Sequence, residues 1–136
     1  MDNSSTRLIF ALGVIAVPMA LAAGEILFQS GDPGEGVYVL REGRIALTRT
    51  DDRRHDPMET LGPGSLIGLP AVLNGTYSLT AQALEGSSLG YVSGSQVINL
   101  LERSPHLLSE ATKMLAQELA RVRSVIARDD EDQTRH

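Results

Sequence analysis

The chain has no cysteine and no tryptophan. Without cysteine, disulfides, thiolate catalysis and cysteine-based metal sites are excluded. Aromatic residues make up only 4% of the 136 residues, so leucine, valine, isoleucine and alanine must fill any core. Histidine is scarce as well. His55, His106 and His136 are the full set, and no two stand at HxH or HxxxH metal-ligand spacing. Positive charge is in deficit: the net charge of −5 argues against a nonspecific nucleic-acid binder, which needs a basic face. The longest apolar run, Leu8 to Ala22, contains Gly13 and Pro18 and falls short of the roughly 20 residues that a membrane span requires.

That run has about the length of a signal-peptide core, and "ALA" at Ala20 to Ala22 resembles a cleavage site. The preceding "MDNSSTR" holds one Arg and one Asp and so lacks the positive bias of such a leader. The expectation is therefore a cytoplasmic protein that opens with a short helix or turn, broken by Gly13 and Pro18, and then a first buried strand. The alternative is secretion with residues 1–22 as a signal peptide. A 42% hydrophobic content is enough for one domain with a core, and 13 glycines point to many turns and hence to β structure.

From Ala16 to Val92 the chain reads as short strands separated by turns. "AVPMAL" and "EILFQ" flank "AAG", and "GDPGEG" is a loop. "VYVLREGRIALTRT" alternates apolar and polar residues about a tight bend at Gly43, which predicts that Val37, Val39, Ile45 and Leu47 point one way. "DDRRHDP", Asp51 to Pro57, reads as a solvated hairpin tip. "METLGPGSLIG" and "YSLTAQALEGSSLGYVS" supply further strands. Evenly spaced short strands predict an all-β barrel or jelly roll over residues 16–92. At Ser93 the period becomes helical. Ser95 is the expected cap of a short helix through Leu101, and Pro105 separates it from a long helix reaching about Ala127. Leu108, Ala111, Leu115, Leu119, Val122 and Ile126 recur at steps of three or four and form one apolar stripe. "DDEDQTRH" reads as a frayed, disordered acidic tail over residues 129–136.

The stretch "PGSLIGLPAVLNGTYSLTAQA", Pro63 to Ala83, has two glycines spaced to hold a turn against something small, yet it holds no charged residue. Taken with "GE-x-x-x-x-x-GD" at Gly24 to Asp32, Gly43 after Val-Tyr-Val-Leu, and "PG-x-x-x-G" at Pro63 to Gly68, it resembles the cyclic-nucleotide-binding domain, and within it the sensor half of the CRP/FNR regulators. The resemblance covers roughly Gly24 to Ala127. It implies an α+β fold: a β-roll (a double-stranded β-helix or jelly roll) followed by C-terminal helices, one of them a long dimerisation helix. The domain would occupy residues 16–128, with the roll at 16–92, helices at 95–127 and residues 1–15 as an apolar lead segment.

The resemblance also implies a phosphate-binding cassette. A Gly-Glu pair opens a short helix whose first N–H groups meet the cyclic phosphate. A following Arg neutralises the phosphate bidentately, and the Glu accepts a hydrogen bond from the ribose hydroxyl. Gly68 takes the glycine position here, but Leu69 stands for the Glu and Tyr77, followed by Ser78, for the Arg. Each lost charge-assisted bond is worth about 1.5–3 kcal/mol. Cyclic AMP or cyclic GMP is thus implied by the family and disfavoured by Leu69 and Tyr77, and no cofactor is expected. The candidate pocket positions are Gly68, Leu69, Pro70, Ala71, Tyr77, Ser78, Leu79 and Thr80, with a further hydroxyl at Thr76. They suit side-chain filling of the pocket, an uncharged ligand, or residual nucleotide binding through non-standard contacts.

In the family the long helix makes a parallel homodimer, and the stripe Leu108, Ala111, Leu115, Leu119, Val122 and Ile126 fits that use. Packing on the chain's own roll is the alternative. A helix-turn-helix domain does not fit within "DDEDQTRH", so direct nucleic-acid contact is not expected and no membrane partner is implied. A protein partner remains open, as does a longer product of which this is a fragment. The function expected is a non-catalytic regulatory or sensor module with a degenerate cassette; the alternatives are an interaction domain without a ligand and a true cyclic-nucleotide sensor. Catalysis of the cupin type would need several histidines and a Glu on the barrel, and the barrel region offers only His55. Asp51-Asp52 and Asp129-Asp130 are adjacent carboxylates best explained by solvation. No catalytic or metal-binding residue is expected.

Overall fold

Turn chemistry fixes where the strands stop. In the computed structural model, which describes residues 6–49 and 59–117, Gly43 takes φ 103° between β3 (Gly36–Glu42) and β4 (Ile45–Thr48). A β-carbon there would also run into Ser87, so the bend requires glycine twice over. The other elements are α1 (Thr6–Ile15), β1 (Val17–Leu21), β2 (Ile26–Phe28), β5 (Glu59–Leu61), β6 (Leu66–Ile67), α2 (Leu69–Asn74), β7 (Thr80–Ala83), β8 (Ser87–Ser93) and α3 (Gly94–Arg103). A last helix, α4, occupies residues 105–117.

The strands form two antiparallel four-stranded sheets, ordered β1-β8-β3-β6 and β2-β7-β4-β5. This is the expected α+β arrangement, a β-roll followed by helices. Alternation along β3 sorts its side chains. Leu40 and Tyr38 face the interior of the roll, with Phe28, Ile45, Leu47, Ile67, Ala81 and Leu89. Val37 and Val39 face the other way, into a second cluster with Leu8 and Leu12 of α1, Leu69 of α2, Val92 of β8, Val97 and Leu101 of α3, and Ala111 of α4. The expectation that Val37, Val39, Ile45 and Leu47 share a direction is therefore corrected. All four are buried, but β3 and β4 lie in different sheets and the pairs serve different clusters.

The expected break at Gly13 is corrected: α1 runs through it, and Leu8 and Leu12 on one of its faces are fully buried in the core. Pro18 sits in β1, an edge strand, where a missing N–H is tolerated. Only Leu21 of β1 is buried, so the first strand is not the buried one expected. The cap of α3 is Ser93 rather than Ser95. Its hydroxyl accepts from Gln96 N at 3.3 Å, and the Gln96 side chain accepts from Ser93 N at 3.3 Å, a reciprocal capping box. Pro105 does separate the helices. Ser104 Oγ accepts from Leu107 N at 3.3 Å, and Pro105 follows where no N–H is needed.

The stripe foreseen on the long helix is split. Ala111 is buried and Leu115 packs partly against the second cluster, whereas Leu108 is half exposed. Leu107 and Met114, which the stripe omitted, share the inward face. Leu119, Val122 and Ile126 lie outside the described residues, as do the hairpin tip at Asp51 to Pro57 with Arg53, Arg54 and His55, and the acidic tail.

Candidate functional site

The cassette helix begins at Gly68, whose φ of 96° no other residue adopts readily. It ends at Gly75, φ 100°, whose N–H returns to the Ala71 carbonyl at 2.8 Å. Pro70 stands in the first turn and has no N–H to offer. The next N–H, that of Ala71, points to the Gly68 carbonyl at 3.1 Å. At this helix start, then, Pro70 offers no donor and the Ala71 N–H is already directed at the Gly68 carbonyl.

Tyr77, expected from the resemblance at the position of the family's Arg, follows α2 and Gly75. It is buried, and its ring stacks on Phe28 with centroids 3.8 Å apart and planes 10° apart. Its hydroxyl donates to the Gly36 carbonyl at 2.6 Å and accepts from Gly36 N at 3.4 Å. The ring also presses on the cassette glycine: a β-carbon at Gly68 would come within 3.0 Å of Tyr77 Cε1. Backbone bonds from Tyr77 N to the Asp32 carbonyl, 2.9 Å, and from Gly31 N to the Tyr77 carbonyl, 2.7 Å, tie the end of the cassette to the "GDPGEG" loop. Tyr77 is thus a structural plug with a satisfied hydroxyl.

Burial raises the pKa of the Tyr77 phenol, against the opposing effect of the Gly36 bond, and burial, with Tyr77 and Tyr91 close by, raises that of Tyr38 strongly. In the unfolded chain both phenols ionise near about pH 10 while the folded protein keeps them protonated. The stability this contributes is whole below that pH and is lost as pH rises through the raised folded values. Phenolate absorbance of Tyr38 and Tyr77 is expected to appear only with alkaline unfolding. An early, reversible rise from all three tyrosines with the fold intact would refute this.

Beside the plug lies a cavity of about 370 Å³. Of the expected pocket residues, Gly68, Pro70, Ala71, Tyr77, Ser78 and Leu79 line it, as does Thr76. Leu69 and Thr80 do not. Leu69 turns into the second cluster, where it is 2% exposed, and Thr80 Oγ1 accepts from Ser30 N at 3.0 Å. The geometry also brings in residues that the motif did not suggest: Phe28 from β2, Glu59 from β5, Ile9 from α1, and Met114 and Gln117 from α4. Glu59, from outside the uncharged stretch Pro63 to Ala83, adds a carboxylate to the lining. Phe28 lies inside the Gly24 to Asp32 motif, whereas Glu59, Ile9, Met114 and Gln117 lie outside the quoted motifs, and only long-range folding identifies them. No group of three or more His, Cys, Asp or Glu converges among the described residues.

Residues 18–104 match the family model described as the cyclic nucleotide-binding domain. The chain is 29% identical over 100 residues to the transcriptional activator protein anr of Pseudomonas aeruginosa, a match covering 73% of this chain and 41% of the relative. It is 30% identical over 98 residues to the cyclic AMP receptor protein of Thermus thermophilus, covering 71% of this chain and 45% of that one. The chain thus spans less than half the length of these curated relatives. The catabolite activator protein structure from Thermus thermophilus shares the fold, with TM-score 0.75 and 23% identity over 93% of this chain and 59% of that one. The glycine framework, the two-sheet roll with its covering helices and these matches together place the chain in the cyclic nucleotide-binding domain family, as a relative of the sensor domains of the CRP/FNR regulators.

Proposed function

We propose that this domain is a non-catalytic regulatory module whose cassette no longer reads a cyclic phosphate. The observation that carries the reading is Tyr77: its ring and hydroxyl are fully committed to Phe28 and Gly36 at the position that needs a cation. The burial of Leu69 away from the cavity removes the second family contact. The cavity lining brings one carboxylate and no histidine, lysine or arginine among the described residues, so no nucleophile–base pair converges on it. Calorimetric titration with cyclic AMP and cyclic GMP to millimolar concentration is expected to give no binding heat. The loss of two charge-assisted bonds, about 3–6 kcal/mol, moves a micromolar site to millimolar or weaker. Micromolar binding of either nucleotide would overturn the reading and favour non-standard contacts.

The module works in this reading as a cytoplasmic homodimer that does not itself contact nucleic acid. Leu108 supports the dimer: it is half exposed on α4. Ala111 and Leu115 hold α4 to its own roll instead. Sedimentation equilibrium is expected to show a dimer that Leu108→Asp weakens at least tenfold with unchanged circular dichroism. A wild-type monomer at high micromolar concentration would remove the dimer from the proposal.

A further inference from the structure

α2 ends on Asn74, Gly75 follows, and both residues are exposed. The pair has a chemistry of its own. The backbone nitrogen of the glycine can attack the side-chain amide carbon of the asparagine, and glycine has no side chain to crowd the approach. A C–N bond forms, the C–NH2 bond breaks, and ammonia leaves with the backbone proton. The cyclic imide then takes up water at either carbonyl. One opening leaves aspartate. The other leaves isoaspartate, whose main chain is longer by a methylene. Water is the only co-reactant.

The fold holds this reaction back, but only lightly. The attacking nitrogen is the one that donates to the Ala71 carbonyl at 2.8 Å. α2 has six residues, too few to persist as a helix without support. Its buried anchors, Leu69 and Ala71, lie ahead of the last turn, which ends on the exposed Leu73 and Asn74. Breaking the bond from Gly75 N to Ala71 frees the nucleophile, and such a local opening costs less than global unfolding.

The product matters because of what Gly75 holds. Its carbonyl accepts from Gly34 N at 2.8 Å, and Thr76 beside it bridges to Pro33. The joint is tight, since a β-carbon on Gly34 would run into the Ala71 carbonyl. An added methylene displaces the Gly75 carbonyl from Gly34, and the new carboxylate stands at the negative end of α2. We infer that Asn74–Gly75 is a modification site: an intramolecular deamidation, gated by the last turn of α2, whose products loosen the cassette from the "GDPGEG" loop.

The test ages the full chain in mildly alkaline buffer, native or in urea, and follows each asparagine by peptide mass spectrometry. Asn99, exposed on α3 and followed by Leu100, is the internal reference. In urea Asn74 is expected to convert at least tenfold faster than Asn99. In the native chain it is expected to convert at least tenfold more slowly than in urea, yet still ahead of Asn99. The converted native fraction, separated on ion exchange by its extra negative charge, is expected to melt below the unconverted one. Ageing is expected to leave the Tm of Asn74→Gln unchanged, because its longer side chain closes the ring poorly. Native conversion at Asn74 no faster than at Asn99 overturns the site. Equal rates in buffer and in urea overturn the gate. An unchanged Tm in the converted fraction, or an equal loss in aged Asn74→Gln, overturns the loosening of the cassette.

Discussion

Restoring the two family charges, Leu69→Glu with Tyr77→Arg, is expected to destabilise the fold and to yield no cyclic AMP binding. On sequence grounds the double variant is a repair. The structure makes it an injury, because Leu69 is 2% exposed and packed among Leu8, Leu12, Val37, Val92 and Val97. A carboxylate there has no partner in an apolar cluster, and uncompensated buried charge costs about 3–5 kcal/mol. For a domain of this size that lowers Tm by on the order of 10–20 °C. Arg at position 77 adds the loss of the stack on Phe28 and of the bond to Gly36. Differential scanning calorimetry of the single and double variants, followed by titration with cyclic AMP, reads the outcome. A stable double variant with micromolar affinity would mean that the side chain at 69 swings freely into the cavity and that two substitutions alone separate this domain from a nucleotide sensor.

Tyr77→Ala is the second large effect. The ring supplies half of the aromatic stack inside the roll, and truncation of a buried aromatic costs about 3–5 kcal/mol. Tyr77→Phe keeps the ring and loses only the hydroxyl between the carbonyl and N–H of Gly36, for about 1–2 kcal/mol. Urea denaturation should order the three proteins as wild type, Phe, Ala. The gap between Phe and Ala reports packing, and the gap between wild type and Phe reports the bond that ties the cassette to β3. If the Phe variant matched wild type while Ala still lost stability, the hydroxyl would be free for a ligand, and Tyr77 would be a reader rather than a plug.

The fold was largely legible because its signals are local. Gly43, Gly68 and Gly75 stand where positive φ is needed, alternation marks β3 and β8, and Pro105 marks the break between α3 and α4. Periodicity names a face but not what that face meets. Val37 with Val39 and Ile45 with Leu47 follow one alternating pattern, yet serve different clusters. The stripe through Leu108, Ala111 and Leu115 divides in the same way between solvent and the chain's own roll. The site was legible only in its cassette. Gly68 and Tyr77 announce themselves by their place in the glycine framework, whereas Glu59, Met114 and Gln117 reach the cavity from segments with no motif of their own. Leu69 shows the limit most clearly. The resemblance sets it at the position of a family Glu, but only packing reveals that its side chain lies in the second cluster and not in the cavity.

The second cluster has a consequence for how the chain folds as it is made. Leu8 and Leu12 share it with Ala111, roughly a hundred positions later, so its closure has high contact order and comes late. The interior of the roll needs only residues from Leu21 to Leu89 and can assemble on the ribosome first. Until α3 and α4 emerge, α1, α2 and one face of the β1-β8-β3-β6 sheet cover one another only in part, without Val97, Leu101 and Ala111. A nascent chain halted before α3 therefore leaves part of that apolar face open, and that is the stage at which a chaperone has something to hold.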